Sequence, residues 1–131
     1  MGLLRDELTR SMGLHHLALR VADLERSLAF YRDRLGLSEV RREVVPGGAS
    51  GSVWLAADDV LLMLETRLRG AGPEAGSGHL LAFRVDDLAT WEARLSAAGI
   101  AIEDRTAHTL YLRDPDGHRV GLSAFPWPPP R

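Results

Sequence analysis

The sequence contains no cysteine, which excludes disulfides, thiolate metal ligands and cysteine nucleophiles. It also lacks an uninterrupted apolar run of the ~18–20 residues that a transmembrane helix needs. Charged residues, among them Arg5, Asp6 and Glu7, occupy the stretch where a signal peptide would be apolar. From these absences we predict a cytoplasmic protein that does not enter a membrane.

An excess of basic residues is missing as well. Lys and Arg number 16 against 18 Asp and Glu, a formal net charge of −2 at pH 7. Proteins that bind nucleic acid through the phosphates usually carry a marked basic excess, so we predict no nucleic-acid partner. A chain of 131 residues with 45% hydrophobic and 26% charged residues has the composition of one globular domain.

An internal repeat divides the chain into two similar halves. A shift of 64 positions aligns LALRVADL (17–24) with LAFRVDDL (81–88), and six of the eight positions are identical. In both halves a helical pattern follows and ends in a glycine, Gly36 or Gly99, as expected for a left-handed helix cap. The pattern indicates a duplicated structural unit.

Each half is predicted to form a strand, a helix and three further strands, which is an α+β fold of two β-α-β-β-β modules. Asp23 and Asp87 are placed to cap the helices at their amino ends. Periodicity and turn residues predict helices over residues 24–35 and 88–98, and strands over 15–21, 37–45, 51–57, 60–65, 80–85, 100–104, 107–113 and 119–124.

Domain boundaries follow from the same pattern. We predict one domain over residues 14–125, with a first module at 14–65, a linker at 66–78, a second module at 79–125, a helical extension at 1–13 and a proline-rich tail at 126–131. The tail cannot continue a sheet, because proline lacks the backbone donor.

Three segments resemble the vicinal oxygen chelate superfamily, which includes glyoxalase I, extradiol dioxygenases, fosfomycin-resistance enzymes and bleomycin-resistance proteins. They are HLALRVADLERSLAFYRDRLGL (16–37), LAFRVDDL (81–88) and LYLRDPDGHRVGL (110–122). The resemblance implies that each module forms a half-open cup, that two cups enclose a cavity, and that the protein is a homodimer.

In metal-dependent members the resemblance implies two histidines and a glutamate as ligands, with a further glutamate in glyoxalase I. These positions fall on His16, Leu80 and Gly121, and the additional one on Met63. Only His16 can bind a metal ion, so we predict a degenerate metal site and no cofactor. Two replacements stay open as alternatives: His79 through a bulge beside Leu80, and Glu65 further along the strand from Met63.

Strand alternation and the same alignment predict which residues line the cavity. They are His16, Trp54, Ala56, Met63, Leu80, Thr109, Tyr111, Gly121 and Ser123. Trp54 and Tyr111 are suited to stack a planar molecule, and the polar side chains to orient it. Alternatively, His16 is a structural histidine and the two aromatic residues only fill the core.

The leading hypothesis is a protein that binds a small organic molecule, such as an aromatic or antibiotic-like compound, without a metal. The alternative is an enzyme of the lyase, isomerase or dioxygenase type. It would use either a metal held by His16 with His79 or Glu65, or metal-free acid–base chemistry with His16 and Tyr111 as catalytic residues. A third hypothesis is an interaction module that acts through the proline-rich tail.

Other charged residues receive structural assignments. Arg20 and Arg84, which the repeat relates, are predicted to form salt bridges near the strand ends, with anion binding as the alternative. His15 is expected on the helix-facing side or at the rim, and His108 and His118 at loop edges, and none of the three is a leading functional candidate.

Overall fold

The computed structural model describes residues 14–44, 51–68 and 79–126. Two four-stranded sheets, each with helical structure on one face, confirm the predicted α+β fold of two β-α-β-β-β modules. The predicted amino-terminal helix, most of the linker and the end of the proline-rich tail, with Trp127, lie outside the described residues.

The elements follow one another in the same order in both modules. The first module contains β1 (His16–Arg20), α1 (Leu24–Leu28) with a π-helical continuation (Ala29–Arg34), β2 (Ser38–Val44), β3 (Gly51–Ala57) and β4 (Val60–Glu65). The second contains β5 (Leu81–Arg84), α2 (Leu88–Ala97), β6 (Asp104–Arg105), β7 (Thr109–Arg113) and β8 (Arg119–Ser123). The strand orders, β1-β4-β3-β2 and β5-β8-β7-β6, are equivalent. In each sheet one pair, β1 with β4 or β5 with β8, is parallel and the others are antiparallel.

The helix boundaries form where the sequence predicts them. The Asp23 carboxylate accepts hydrogen bonds from two backbone N–H groups in the first turn of α1. The Asp87 carboxylate accepts one from the first turn of α2. Gly36 and Gly99 have φ angles of 87° and 72°, the left-handed conformation that a glycine adopts readily after a helix. No helix in the described ranges is long and apolar enough to span a membrane.

The first helix differs from the regular α-helix predicted over 24–35. Its second half is π-helical, and the Leu35 N–H donates to the carbonyl of Phe30, five residues back, at 3.0 Å. This wider turn buries two successive aromatic residues, Phe30 and Tyr31. Helical periodicity alone does not distinguish this geometry from an α-helix.

Two strand predictions in the second module were too long. Residues 100–103 are not a strand, because the Ile100 N–H still closes the end of α2 by donating to the Leu95 carbonyl at 2.9 Å. The ladder with β7 contains Asp104–Arg105, and the Glu103 N–H adds one backbone bond to the Tyr111 carbonyl at 2.7 Å. The strand predicted from residue 107 begins at Thr109, since a turn bonded through Thr106 precedes it.

The hydrophobic core lies on the helix-facing side of both sheets. Its strand residues are Leu19, Val53, Leu55, Leu62, Leu64, Leu110, Leu112, Val120 and Leu122, all buried. The opposite face of each sheet, which we call the open face, carries the alternate residues of the same strands. The predicted cavity residues are on these open faces.

The turn at residues 114–118, here the junction turn, joins the second module to the first. The Tyr31 hydroxyl donates to Asp114 Oδ2 at 2.7 Å, and the Ala22 N–H donates to Asp116 Oδ1 at 2.9 Å. His118 Nε2 lies 2.9 Å from the Arg20 carbonyl oxygen and therefore carries the proton that it donates. His118 lies at the edge of the loop that precedes β8, as predicted, and it is also buried at this junction.

Candidate functional site

The open face of the first sheet groups His16, Trp54 and Met63, which we call the aromatic cluster. Trp54 is directly opposite Met63 in the β3–β4 ladder, and the His16 and Trp54 ring centres are 5.1 Å apart. All three side chains are half-buried. The cluster presents a partly exposed, largely apolar surface with one ring nitrogen donor or acceptor on it.

A second imidazole, that of His15, adjoins the cluster. The Nδ1 atoms of His15 and His16 are 2.9 Å apart, so one of them carries the proton and the other accepts it. The sequence predicted His15 on the helix-facing side or at the rim. Strand alternation does not constrain it, because β1 begins at His16. The contact occupies His16 Nδ1 and leaves Nε2 for a ligand.

The open face of the second sheet groups Leu80, Thr109, Tyr111, Gly121 and Ser123. Tyr111 is directly opposite Gly121, and Thr109 is directly opposite Ser123. The two hydroxyl oxygens of that second pair are 2.9 Å apart. Leu80 is 44% exposed beside the glycine, so this face also combines apolar surface with a few polar groups.

Arg119 also lies on this open face and was missed in the sequence. Its guanidinium carbon is 4.4 Å from the centre of the Tyr111 ring, a cation–π contact. Its Nη2 atom is 4.0 Å from a carboxylate oxygen of Asp104. Strand alternation was the available signal, because Arg119 is two residues from Gly121 on β8.

The predicted cavity residues therefore form two groups. Within the described ranges, ring contacts and hydrogen bonds join residues of each group, and none joins the aromatic cluster to the second sheet's group. A ligand held by both groups must bridge two sheets.

A metal of the kind that the resemblance implies does not fit this donor set. Leu80 and Gly121 supply no ligand atom, and a Cβ at Gly121 would lie 3.4 Å from Thr109 Cγ2 and 3.5 Å from Leu80 Cδ1. The side-chain space at that position is thus lined by hydrocarbon. Among residues 14–44, 51–68 and 79–126, no three His, Asp or Glu side chains are grouped to hold an ion.

The two alternative ligands do not lie beside His16. The His79 ring centre is 5.6 Å from that of His118, at the junction turn, and the β5–β8 register is regular over the strand that follows. Glu65 is opposite Arg20, whereas His16 is opposite Leu61. Four residues of strand, roughly 13 Å, therefore separate Glu65 from the level of His16.

A cleft of about 500 Å³ lies elsewhere, next to the junction turn, and contains none of the predicted site residues. It is lined by Phe30, Ile100, Ala101, Glu103, Arg113, Asp114 and Pro115. Its charged groups already have partners, since Glu103 binds Arg113 and Asp114 binds Tyr31. We therefore place the candidate site on the open faces.

Comparisons with known proteins agree with this architecture. The chain is 30% identical over 115 residues to "Glutathione transferase FosA" of Serratia marcescens, covering 83% of this chain and 78% of that protein. It is 30% identical over 120 residues to "Probable lactoylglutathione lyase" of Vibrio cholerae, covering 82% and 86%. The structure of TnmS3, described as an antibiotic binding protein from a Streptomyces species, superposes with a TM-score of 0.67 at 25% identity, covering 87% of this chain and 96% of that one.

A family model extends the agreement over most of the sequence. The model described as Glyoxalase/Bleomycin resistance protein/Dioxygenase superfamily matches residues 13–122, which include the first module and the second as far as Leu122 in β8. The match, the two relatives and the duplicated fold give one conclusion: the chain belongs to the glyoxalase/bleomycin resistance protein/dioxygenase superfamily.

Proposed function

We propose that the protein binds a small planar organic molecule on its open faces, without a resident metal ion. The aromatic cluster is the observation that carries this proposal. Its His16 and Trp54 rings are in contact at 5.1 Å and stay half-buried, whereas Val53 and Leu55, on the helix-facing side of the same sheet, are fully buried. Aromatic surface of this kind, with a few polar groups, is typical of small-molecule sites.

The relatives support both binding and catalysis as functions of this scaffold. TnmS3 is described as antibiotic-binding, whereas the relatives from Serratia marcescens and Vibrio cholerae carry enzyme names. The side chains at the expected metal-ligand positions favour binding over metal-dependent catalysis for this chain, because two of these positions are occupied by Leu80 and Gly121. An antibiotic-like aromatic compound is the class of ligand that we propose.

We further propose that a second copy of the chain closes the open faces. Leu80 is 44% exposed there, and within one chain the two groups of site residues are on separate sheets. A homodimer would shield this surface. Sedimentation equilibrium tests the proposal: a mass near twice 14.4 kDa supports it, and a monomer at micromolar concentration contradicts it. Localisation in the cytoplasm stays a prediction from the sequence.

Binding is tested with naphthamide, a neutral planar probe, by titration followed in nuclear magnetic resonance spectra. The Trp54→Ala variant should weaken binding by about tenfold or more, because a large aromatic contact is lost. Trp91→Ala is the matched control, since Trp91 lies on α2 and stacks with Arg94 instead. Equal affinities of the wild type and Trp54→Ala would contradict the proposed site.

The metal-free part of the proposal has its own test. Chelator treatment should leave naphthamide binding unchanged, and calorimetric titration with zinc or nickel should show no tight stoichiometric site. A tight site that His16→Ala abolishes would overturn this part, because it would show that His16 holds an ion together with other protein ligands.

A metal-free enzyme is the second candidate, and the His15–His16 contact favours it. A histidine whose Nδ1 is held by another imidazole presents Nε2 in a defined orientation, as a general acid or base requires. Tyr111, the other proposed catalytic residue, has its ring beneath Arg119. Turnover that survives chelator and is lost in His16→Ala would establish catalysis; no turnover across a substrate screen would favour simple binding.

A further inference from the structure

We propose that Arg119 anchors an anionic group of the bound molecule, so that the ligand is an aromatic anion, such as an aromatic carboxylate, rather than a neutral ring. The inference rests on the proposed binding function and deepens it by naming the ligand class. Three observations carry it: a guanidinium whose donors are not all used, its contact with Tyr111, and exposed apolar surface near it.

The unpaired donor is Arg119 Nε. This atom is buried and has no hydrogen-bond partner in the described part of the chain. A guanidinium has five N–H donors and no acceptor, and a buried N–H without a partner is unfavourable. Because Nε itself has almost no accessible surface, a ligand has to approach the exposed part of the side chain, and a carboxylate accepts from two guanidinium N–H groups at once.

Tyr111 contacts the guanidinium of Arg119. The arginine carbon is 4.4 Å from the ring centre, and the side chain as a whole is 31% exposed. A cation–π contact favours this position of the arginine, whose planar fork of N–H donors lysine does not have. The contact therefore limits where the donors lie before a ligand arrives.

The neighbouring carboxylates, those of Asp104 and Glu103, do not form hydrogen bonds with the Arg119 guanidinium. Asp104 is 66% exposed, and its carboxylate is 4.0 Å from Arg119 Nη2, longer than a hydrogen bond. Glu103 is bound by Arg113 in two hydrogen bonds of 2.7 and 3.1 Å. Because Arg113 is also directly opposite Arg119 in the β7–β8 ladder, two cations are close together at this edge.

Exposed apolar surface lies near the guanidinium on the same open face. Gly121, two residues along β8 and opposite Tyr111, is itself buried, and a Cβ there would lie 3.4 Å from Thr109 Cγ2 and 3.5 Å from Leu80 Cδ1. Leu80 beside it is 44% exposed, so a ring can pack on this leucine. The anionic substituent of such a ring would then be near Arg119.

The test compares naphthoate with naphthamide, which share a ring system and differ in charge. Wild-type protein should bind naphthoate about tenfold more tightly, and Arg119→Gln should bring the two affinities within about twofold by weakening only naphthoate. Added salt should weaken naphthoate binding and leave naphthamide binding unchanged. If Arg119 had only a structural role, Arg119→Gln would change the affinities for naphthoate and for naphthamide by a similar factor.

Two further variants complete the design. Arg84→Gln removes the same charge from an exposed arginine of β5 on the same sheet and should leave the preference unchanged. Arg119→Lys keeps the charge and loses the planar fork of donors, so its preference for naphthoate over naphthamide should be intermediate. If Arg119→Gln does not fold, Arg119→Lys takes its place as the test.

The outcomes separate this inference from the proposed function. Equal wild-type affinities for naphthoate and naphthamide would overturn the anchor and leave the binding function standing. A preference that Arg84→Gln removes as well would also overturn it, because net charge would then be the cause. Failure of both probes to bind would overturn the anchor and the binding function together.

Discussion

The junction turn and the open face of the second sheet differ in how fully one charged side chain of each, Asp114 or Arg119, is hydrogen-bonded. At the junction, the buried Asp114 carboxylate accepts three hydrogen bonds, from the Tyr31 hydroxyl and from the N–H groups of Asp116 and His118. On the open face, Arg119 leaves a buried nitrogen unpaired. The contrast holds for these two charged groups and not for every polar atom, since the buried His118 Nδ1 at the junction also has no hydrogen-bond partner within the described residues.

The largest expected effect is at the junction. Asp114→Ala should lower the free energy of unfolding by about 3 kcal/mol or more, because three donors lose their acceptor inside the protein. Denaturant unfolding measures this loss. Asp59→Ala, in an exposed turn, is the control and should change stability by less than about 0.5 kcal/mol. Equal effects of the two substitutions would remove the contrast between junction and surface.

Tyr31→Phe should have a smaller effect of about 1–2 kcal/mol, because it removes one of the three hydrogen bonds. Burial, followed by the Asp114 charge, raises the pKa of Tyr31 well above its usual value. The unfolded chain loses this proton near pH ~10 while the folded chain keeps it, so stability should fall at higher pH, by about 1.4 kcal/mol per pH unit.

The alkaline decline gives a direct check on Tyr31. The chain has two tyrosines and no lysine, so few side chains titrate above pH 10. Unfolding free energies measured between pH 9 and about 11 should lose most of their slope in Tyr31→Phe. An unchanged slope would mean that Tyr31 ionises as readily in the folded protein as in the unfolded one.

The smallest effect is expected on the open face. Arg119→Leu without ligand should change the free energy of unfolding by less than about 0.5 kcal/mol, because it removes an unpaired donor together with its charge. Thermal unfolding and denaturant unfolding both measure this change in the free energy of unfolding. A loss as large as that in Tyr31→Phe would show that Arg119 belongs with the residues that hold the fold.

Local signals explain what the sequence predicted correctly. The caps at Asp23 and Gly36 depend on a few adjacent residues, and so do most strand positions. Strand alternation placed Trp54 and Tyr111 on the open faces, where the structure has them. Their role in binding stays a prediction.

Contacts between distant residues explain what the sequence did not predict. The bond from His118 to the Arg20 carbonyl joins residues that are 98 positions apart, and no local pattern indicates it. The π-helical turn is similar, because it depends on burying Phe30 and Tyr31 against both modules. Strand alternation could have placed Arg119 on the open face. That its Nε atom has no hydrogen-bond partner can be seen only in the three-dimensional structure.

Different side chains join the two modules and line the open faces, and this has a consequence for how such a scaffold evolves. Because Asp114 and Asp116 join the modules through bonds to Tyr31 and Ala22, which do not involve the side chains at positions 80 and 121, substitutions at those two positions leave these bonds in place. A descendant can therefore exchange ion-holding side chains for leucine and glycine and still fold. New chemical preferences can then arise one residue at a time.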